Sequence, residues 1–340
     1  MKCIVGMSGG VDSSTTVALM KQKYDEVIGC TFKMFDSPKT EAAIEDAKKV
    51  ADFLKIKHIV VDCRNDFKKC VMDNFVESYK KGETPNPCVL CNNFVKFKYL
   101  NAVREENLAD MMATGHYARI VRNQNQAELH QASDLTKDQS YFLYKLNQSV
   151  LRFIEFPLGE FTKVQTRQIA REIGIHVAEK SESQDVCFIP DNDYISFVKK
   201  NSGESFPGNI VDESENILGR HHGTINYTIG QRKGLGLSGG PFFVKEIRSG
   251  SNEVVVTNKI GVRINLLKLS EVNFINGEYL GPCEVKIRST GRKIFAGVRK
   301  SNDEYIVDIL SEEYGAAKGQ HCVFYSQDKV IGGGIIVGAE

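Results

Sequence analysis

The chain has 340 residues, 41% hydrophobic and 26% charged, with 44 basic against 43 acidic side chains and a formal net charge of +1. Such a length suggests two or three domains, and the composition excludes a disordered, collagenous or coiled-coil chain. The balanced charge is silent about nucleic acid, so that partner has to be sought in local patches.

Residues 1–62 alternate strands (3–7, 27–32, 58–61) with helices (12–23, 41–54). The second helix shows an apolar stripe of Ala43, Ala47, Val50, Ala51 and Leu54. Two successive β-α-β units predict an α/β fold with a doubly wound parallel sheet. Helices are expected at 66–80 and 93–106, separated by a proline-punctuated loop, with a further strand at 111–114. A basic helix at 162–173 is closed by Gly174. Beyond about residue 200, short β-branched runs between glycines take over, at 225–229, 242–247, 253–257, 283–288, 305–310, 321–325 and 330–337. They predict small β-barrels. The expected domains are 1–200, a small linking domain at 201–260 and a C-terminal β-barrel at 261–340. No apolar run approaches the roughly 18 residues of a membrane helix. The N-terminus enters a strand directly instead of a secretory leader. The expectation is a cytoplasmic protein without a membrane partner.

The strongest local signal is Ser8-Gly9-Gly10-Val11-Asp12-Ser13-Ser14, between the first strand and the first helix. Glycines let backbone approach phosphate oxygens, and the hydroxyls and helix N-terminus add donors. Asp12 is ill-suited to touch phosphate by its charge and is better suited to hold Mg²⁺ that bridges phosphates. The loop lacks the lysine of a Gly-x4-Gly-Lys-Ser/Thr site, which argues against a kinase or GTPase. A second glycine pattern, Gly234-Leu235-Gly236-Leu237-Ser238-Gly239, has Pro241 and Phe242 after it instead of a helix, so it is rejected as a dinucleotide site.

Nine cysteines, at 3, 30, 63, 70, 88, 91, 187, 283 and 322, form an odd set with one tight spacing, Cys88-Val89-Leu90-Cys91. This argues for reduced thiols with a few doing chemistry. The pair sits just before a predicted helix, whose dipole would favour thiolate. A zinc site is disfavoured because no second ligand pair appears. Cys187 lies in a short run expected to be extended, Ser183-Gln184-Asp185-Val186-Cys187-Phe188-Ile189-Pro190. Two basic groupings stand out: Lys163, Arg167 and Arg171 along one helix stripe, and Lys286, Arg288, Arg292, Lys293, Arg299 and Lys300 in a stretch without an acid. Both are candidate RNA surfaces.

The phosphate loop resembles that of the N-type ATP-pyrophosphatases. With it, Thr84-Pro85-Asn86-Pro87, Cys91-Asn92, Gly115-His116-Tyr117-Ala118-Arg119, Lys137-Asp138-Gln139-Ser140-Tyr141-Phe142-Leu143, Cys187-Phe188-Ile189 and Tyr227-Thr228-Ile229-Gly230-Gln231-Arg232-Lys233-Gly234-Leu235-Gly236 occur in order. Together, over nearly the whole length, they resemble the bacterial tRNA-specific 2-thiouridylases. The resemblance implies ATP held by Gly6, Met7, Ser8, Gly9, Gly10, Val11, Asp12 and Ser13, with Phe32 and Gly115. It implies a sulfur-accepting Cys187 and a nucleophilic Cys91. For the tRNA anticodon loop it implies contacts from Asn86, Pro87, Cys88, His116, Lys137, Asp138, Gln139, Arg288, Ser289 and Gln320. ATP, Mg²⁺, tRNA and a sulfur-relay donor protein follow as cofactors and partners, for a monomeric enzyme. Cys88 stands where many members have aspartate, which leaves the general base open. It also opens a second chemistry, in which Cys88, Cys91 and Cys187 hold an iron–sulfur cluster. The rival readings are another ATP-pyrophosphatase, such as an amide-forming ligase, or a non-catalytic iron–sulfur or RNA-binding protein.

Overall fold

The computed structural model describes residues 1–340 apart from 124, 125, 176, 178–185 and 204. Its first layer is a five-stranded sheet, all parallel, in the order β3-β2-β1-β4-β7. The strands are β1 (Lys2–Gly6), β2 (Glu26–Lys33), β3 (Lys57–Asp62), β4 (Met111–Ala113) and β7 (Ile154–Glu155). Successive side chains of β1 serve opposite faces, as strand geometry demands. Cys3 and Val5 join the core under α1 (Val11–Lys23) and α2 (Pro38–Phe53), while Ile4 joins the opposite core with Leu100 and Val103. Ile4 is fully buried, which contributes about 1.5–3 kcal/mol. The chain leaves β1 toward β2 on one side and returns as β4 on the other. The crevice beyond the carboxyl ends of β1 and β4 is therefore the place where this topology binds ligands.

Two long helices carry π-helical turns. α3 spans 64–80 with Lys68–Met72 in π geometry, and α4 spans 87–106 with Asn92–Lys96 in π geometry. α4 thus starts earlier than the predicted 93. Pro87 is its first residue, a position where a missing N–H costs nothing. Cys88 and Cys91 consequently lie inside the helix, not ahead of it. α5 (Lys163–Ile173) is closed by Gly174 at φ 83 as expected, and opened by a capping box between Thr162 and Gln165.

A hairpin within the first 200 residues, β5 (Ala118–Arg122) and β6 (Ala127–Gln131), pairs with the last strand of the chain. That strand, β17 (Lys329–Ala339), belongs to a closed six-stranded antiparallel barrel with β12 (Leu266–Phe274), β13 (Gly281–Lys286), β14 (Ile294–Ser301), β15 (Glu304–Ile309) and β16 (His321–Ser326). Pairing of β12 with β17 closes it. Between the two regions lies a four-stranded sheet of β8 (Gly208–Val211), β9 (Ile217–His221), β10 (Phe243–Arg248) and β11 (Glu253–Thr257). The strand expected at 225–229 is instead a 3-10 turn, Thr224–Asn226. Its apolar residues are shared between cores: Ile225 packs beside α3 and Tyr227 under the small sheet. Among the described residues no helix is long and apolar enough to cross a membrane.

Candidate active site

The glycine loop follows β1 into the crevice. Gly9 sits at φ 68, and a Cβ there would lie 2.3 Å from the Ala43 carbonyl oxygen. Ser13 Oγ ties the turn together, accepting from Ser8 N at 3.1 Å and donating to the Gly10 carbonyl at 3.1 Å. Gly10 offers α1 no side-chain cap, so its first amides await an acceptor such as phosphate. Gly115, just past β4, also has to be glycine. A Cβ would come within 2.9 Å of the Asp12 carbonyl carbon and 3.0 Å of Ser13 N. Phe32 lies beside Gly6, 3.9 Å from where a Cβ there would stand. Met7 and Val11 bury their side chains in the core beside α1 and α2.

Asp12 is not free. Lys163 Nζ lies 2.7 Å from each of its carboxylate oxygens, and the Tyr117 hydroxyl lies 3.1 Å from Oδ1 and 3.0 Å from Thr166 Oγ1. Lys163 is 8% exposed. It belongs to the glycine loop and not to an RNA-facing stripe with Arg167 and Arg171. Sequence reading put it on a basic stripe and missed this pairing because its partner is 151 residues away. The signal was its place at the first turn of an amphipathic helix. Gln139 backs this network: its side-chain oxygen accepts from Tyr117 N at 3.0 Å and its N–H donates to Tyr117 O at 2.8 Å. The Asp138 carboxylate, 1% exposed, accepts from Ala132 N, Ser140 N, Gln131 Nε2 and Ser140 Oγ. Gln139 thus braces Tyr117, and Asp138 braces the turn that carries Gln139.

The thiols gather on an aromatic cluster formed by α3 and the segment after Cys187. Phe188 packs on Phe67 at 5.6 Å and on Phe75 at 5.5 Å, in the core that also holds Leu90 and Cys91. Cys187 lies in a turn, not an extended run, and 183–185 lie outside the described residues. Burial raises the pKa of Cys88, Cys91 and Cys187, that of Cys91 to about 12, while the Lys96 ammonium opposes the rise at each. Cys88 and Cys187 keep exposed surface, yet enough protein crowds them for desolvation to prevail over the charge of Lys96. Burial works to lower the Lys96 pKa, but the charges of Cys91, Cys88 and Cys187 win and raise it. The π turn explains Lys96. In an α-helix residue i faces i+4, but a π turn brings i+5 into line, so Lys96 follows Cys91 on one side. Sequence periodicity at 3.6 gives no hint of this. Next to Cys91, Asn92 Nδ2 donates to the Phe142 carbonyl at 3.1 Å, while its buried Oδ1 has no protein partner among the described residues.

His116 connects the two halves. It follows Gly115, accepts or donates at Nδ1 with Thr114 Oγ1 at 2.8 Å, and packs on Phe97 and Phe156. Burial, with Lys96 nearby, lowers its pKa to about 3, so it is neutral. Asn86 and Pro87 are buried at the head of α4.

The expected RNA patch on the barrel is paired throughout. Arg288 meets Glu313 at 3.2 Å, Arg292 meets Glu313 at 3.7 Å, and Lys293 meets Glu284 at 3.0 Å. Arg299 meets Asp308 at 2.6 Å, Lys300 meets Asp303 at 3.6 Å, and Lys286 meets Asp138 at 4.0 Å. Ser289 is half-buried in the turn after β13. The Gln320 amide is engaged by the Thr84 carbonyl at 2.9 Å. Lys137 donates its backbone N–H to Asp134 O at 3.0 Å.

Three family models match consecutive parts of the chain: a tRNA methyl transferase HUP domain at 1–191, a tRNA methyl transferase PRC-barrel domain at 195–258 and an aminomethyltransferase beta-barrel domain at 264–336. Among curated relatives, the tRNA-specific 2-thiouridylase MnmA of Rickettsia prowazekii is 43% identical, covering 98% of each chain. The MnmA 1 protein of Clostridium tetani, also a tRNA-specific 2-thiouridylase, is 41% identical over 100% of this chain and 97% of its own. That of Rhodospirillum centenum is 40% identical over 100% and 92%.

Proposed function

The chain belongs to the tRNA-specific 2-thiouridylase family, and from that premise we propose that it replaces O2 of the wobble uridine in a tRNA anticodon with sulfur, in an ATP-dependent reaction. The supporting observation is the juxtaposition of two sites: a glycine loop touched by Gly115, and three thiols around Lys96 reached through His116.

In this reading residues 1–200 are the catalytic domain, 201–260 link, and the barrel at 261–340 holds tRNA. The loop from Gly6 to Ser13 cradles ATP phosphates, and Lys163 turns from Asp12 to the phosphates, where an ammonium offsets charge developing on the pyrophosphate. Uridine O2 attacks the α-phosphorus and pyrophosphate leaves, which makes O2 part of a good leaving group. The terminal sulfur of a Cys187 persulfide, loaded by a sulfur-relay protein, then attacks C2 and AMP departs. Cys91 thiolate attacks Cys187 Sγ, freeing the thiolated base and leaving a Cys91–Cys187 disulfide. Lys96 favours each sulfur as an anion. The base has to leave its stack to enter, at a cost of roughly a few kcal/mol, lowest for a single-stranded loop.

For Mg²⁺ the chain offers the Asp12 carboxylate, now held by Lys163 and freed if Lys163 moves to phosphate. This fits the habit of Mg²⁺ of taking one or two carboxylates and completing its shell with phosphate and water. Bound there, the ion would polarise phosphate oxygens. Among the described residues no three His, Cys, Asp or Glu side chains are grouped as a metal site, and no step here runs through a cluster.

The test is thiolation of unmodified tRNA with ATP and a persulfide donor. Wild type should form 2-thiouridine, and Cys187→Ser should lose it by about 10³-fold or more while tRNA binding persists. Normal thiolation by Cys187→Ser would end this reading.

A further inference from the structure

We propose that Gln320 is a positioning residue that sets the approach of the thiol-bearing helix α4, with its side-chain amide holding the catalytic loop. This rests on the function proposed above. The segment 83–87 runs Glu83-Thr84-Pro85-Asn86-Pro87 into the first turn of α4. Two prolines remove two N–H donors within three residues, so this stretch cannot brace itself with its own backbone. The barrel supplies the missing partners. Thr84 N–H donates to the Lys318 carbonyl at 2.8 Å, and Gln320 Nε2 lies 2.9 Å from the Thr84 carbonyl and 3.4 Å from that of Pro85.

The turn that carries Gln320 suits this close approach. Gly319 sits at φ 85, and a Cβ there would lie 3.1 Å from Glu83 Cβ and 3.2 Å from the Thr84 carbonyl oxygen. The turn is itself anchored: Gly319 N–H donates to Ile336 O at 2.9 Å, and Ile336 N–H donates to Gln320 O at 2.8 Å. The next residue, His321, accepts from the Tyr141 hydroxyl at its carbonyl, and Tyr141 lies beside Asn86. From the other side the small central sheet closes on the same loop. Gly82, at φ 75, abuts Ile247 and Ser249, and Thr84 Oγ1 lies 3.5 Å from Thr228 Oγ1. The loop is thus held by both other domains, three residues ahead of Cys88, and the Gln320 amide is the one side-chain donor from the barrel to its carbonyls among the described residues.

The decisive variant is Gln320→Met, close in shape but without donors. Single-turnover thiolation at saturating tRNA should fall by about tenfold to a hundredfold, as misplacement away from the chemistry does. The tRNA Kd at fixed salt should stay within about twofold. Gln320→Lys, which restores a donor to the two carbonyls, should recover most of the rate. A Kd raised with an unchanged single-turnover rate, or no recovery by Gln320→Lys, would overturn the proposal. Alkylation of Cys88 by iodoacetamide, mapped by mass spectrometry, needs neither ATP nor tRNA. Its rate should rise at least about threefold in Gln320→Met as the loop loosens; an unchanged rate also overturns it. Loss of thiolation by the wild-type protein would instead count against the proposed function, leaving the alkylation result to judge Gln320.

Discussion

The glycine loop and the barrel's basic stretch make opposite use of charge. In the loop, chemistry is compressed into seven consecutive residues, and folding leaves the group intact: glycines, hydroxyls and helix start stay together because they were neighbours to begin with. In the barrel, a run without acids is paired on folding: Glu284 of β13, the strand on which the run begins, Asp308 of β15 and Glu313 beyond β15 meet its cations. A turn can be read from sequence, whereas a surface potential belongs to every strand that shares the surface.

That contrast can be attacked first at the loop. Lys163→Met should slow pyrophosphate release by about 10²–10³-fold, the size of losing one preorganised charge partner. Asp12→Ala should in addition destabilise the fold by about 1–3 kcal/mol, because it strands a nearly buried ammonium. Pyrophosphate release and thermal melts separate the two, and a fully active Lys163→Met would place this lysine outside the chemistry.

A smaller effect is expected where the thiols meet Lys96. Burial already holds Cys91 near 12, and the ammonium pulls the other way, so Lys96→Met should push the thiols further up. Alkylation at pH 8 should slow by about tenfold for each unit of pKa. Its pH profile should move to higher pH in Lys96→Met and hold its place in Lys96→Arg. An unmoved profile would mean the lysine does not act on sulfur.

The smallest effect sharpens the other side. Glu313→Gln should release Arg288 and Arg292, tighten tRNA binding a few-fold and steepen its salt dependence by roughly one in the log–log slope. Titrations at several salt concentrations would show it. A flat response would mean the barrel's basic residues face no phosphate.

Much of the architecture was legible in the chain. The alternation through residue 62, the positions of β13, β15, β16 and β17 and the Gly174 stop followed from periodicity and backbone chemistry, whereas β12 and β14 were not foreseen. The misses share a cause. The strand expected at 225–229 became a turn because its side chains serve two cores. The start of α4 was displaced because Pro87 opens a helix as readily as it ends a loop. The hairpin 118–131 was passed over because its partner strand lies near the far end of the chain. At the site, Asp12, Gly115, Cys88, Cys91 and Cys187 stood out as motifs, while Lys163 was read as part of a basic stripe and Lys96 was not singled out.

Sequence alone determined which residues could bind phosphate and which thiols were worth following, because glycine conformational freedom, helix termini and Cys-x-x-Cys spacing are properties of a few adjacent residues. The tertiary structure decided the pairings: Lys163 on Asp12, Lys96 among the sulfurs, Gln320 on the loop before α4, and acids on the barrel's arginines. Such pairings depend on distances in space between residues remote in the chain, and burial sets how strongly each charge is felt.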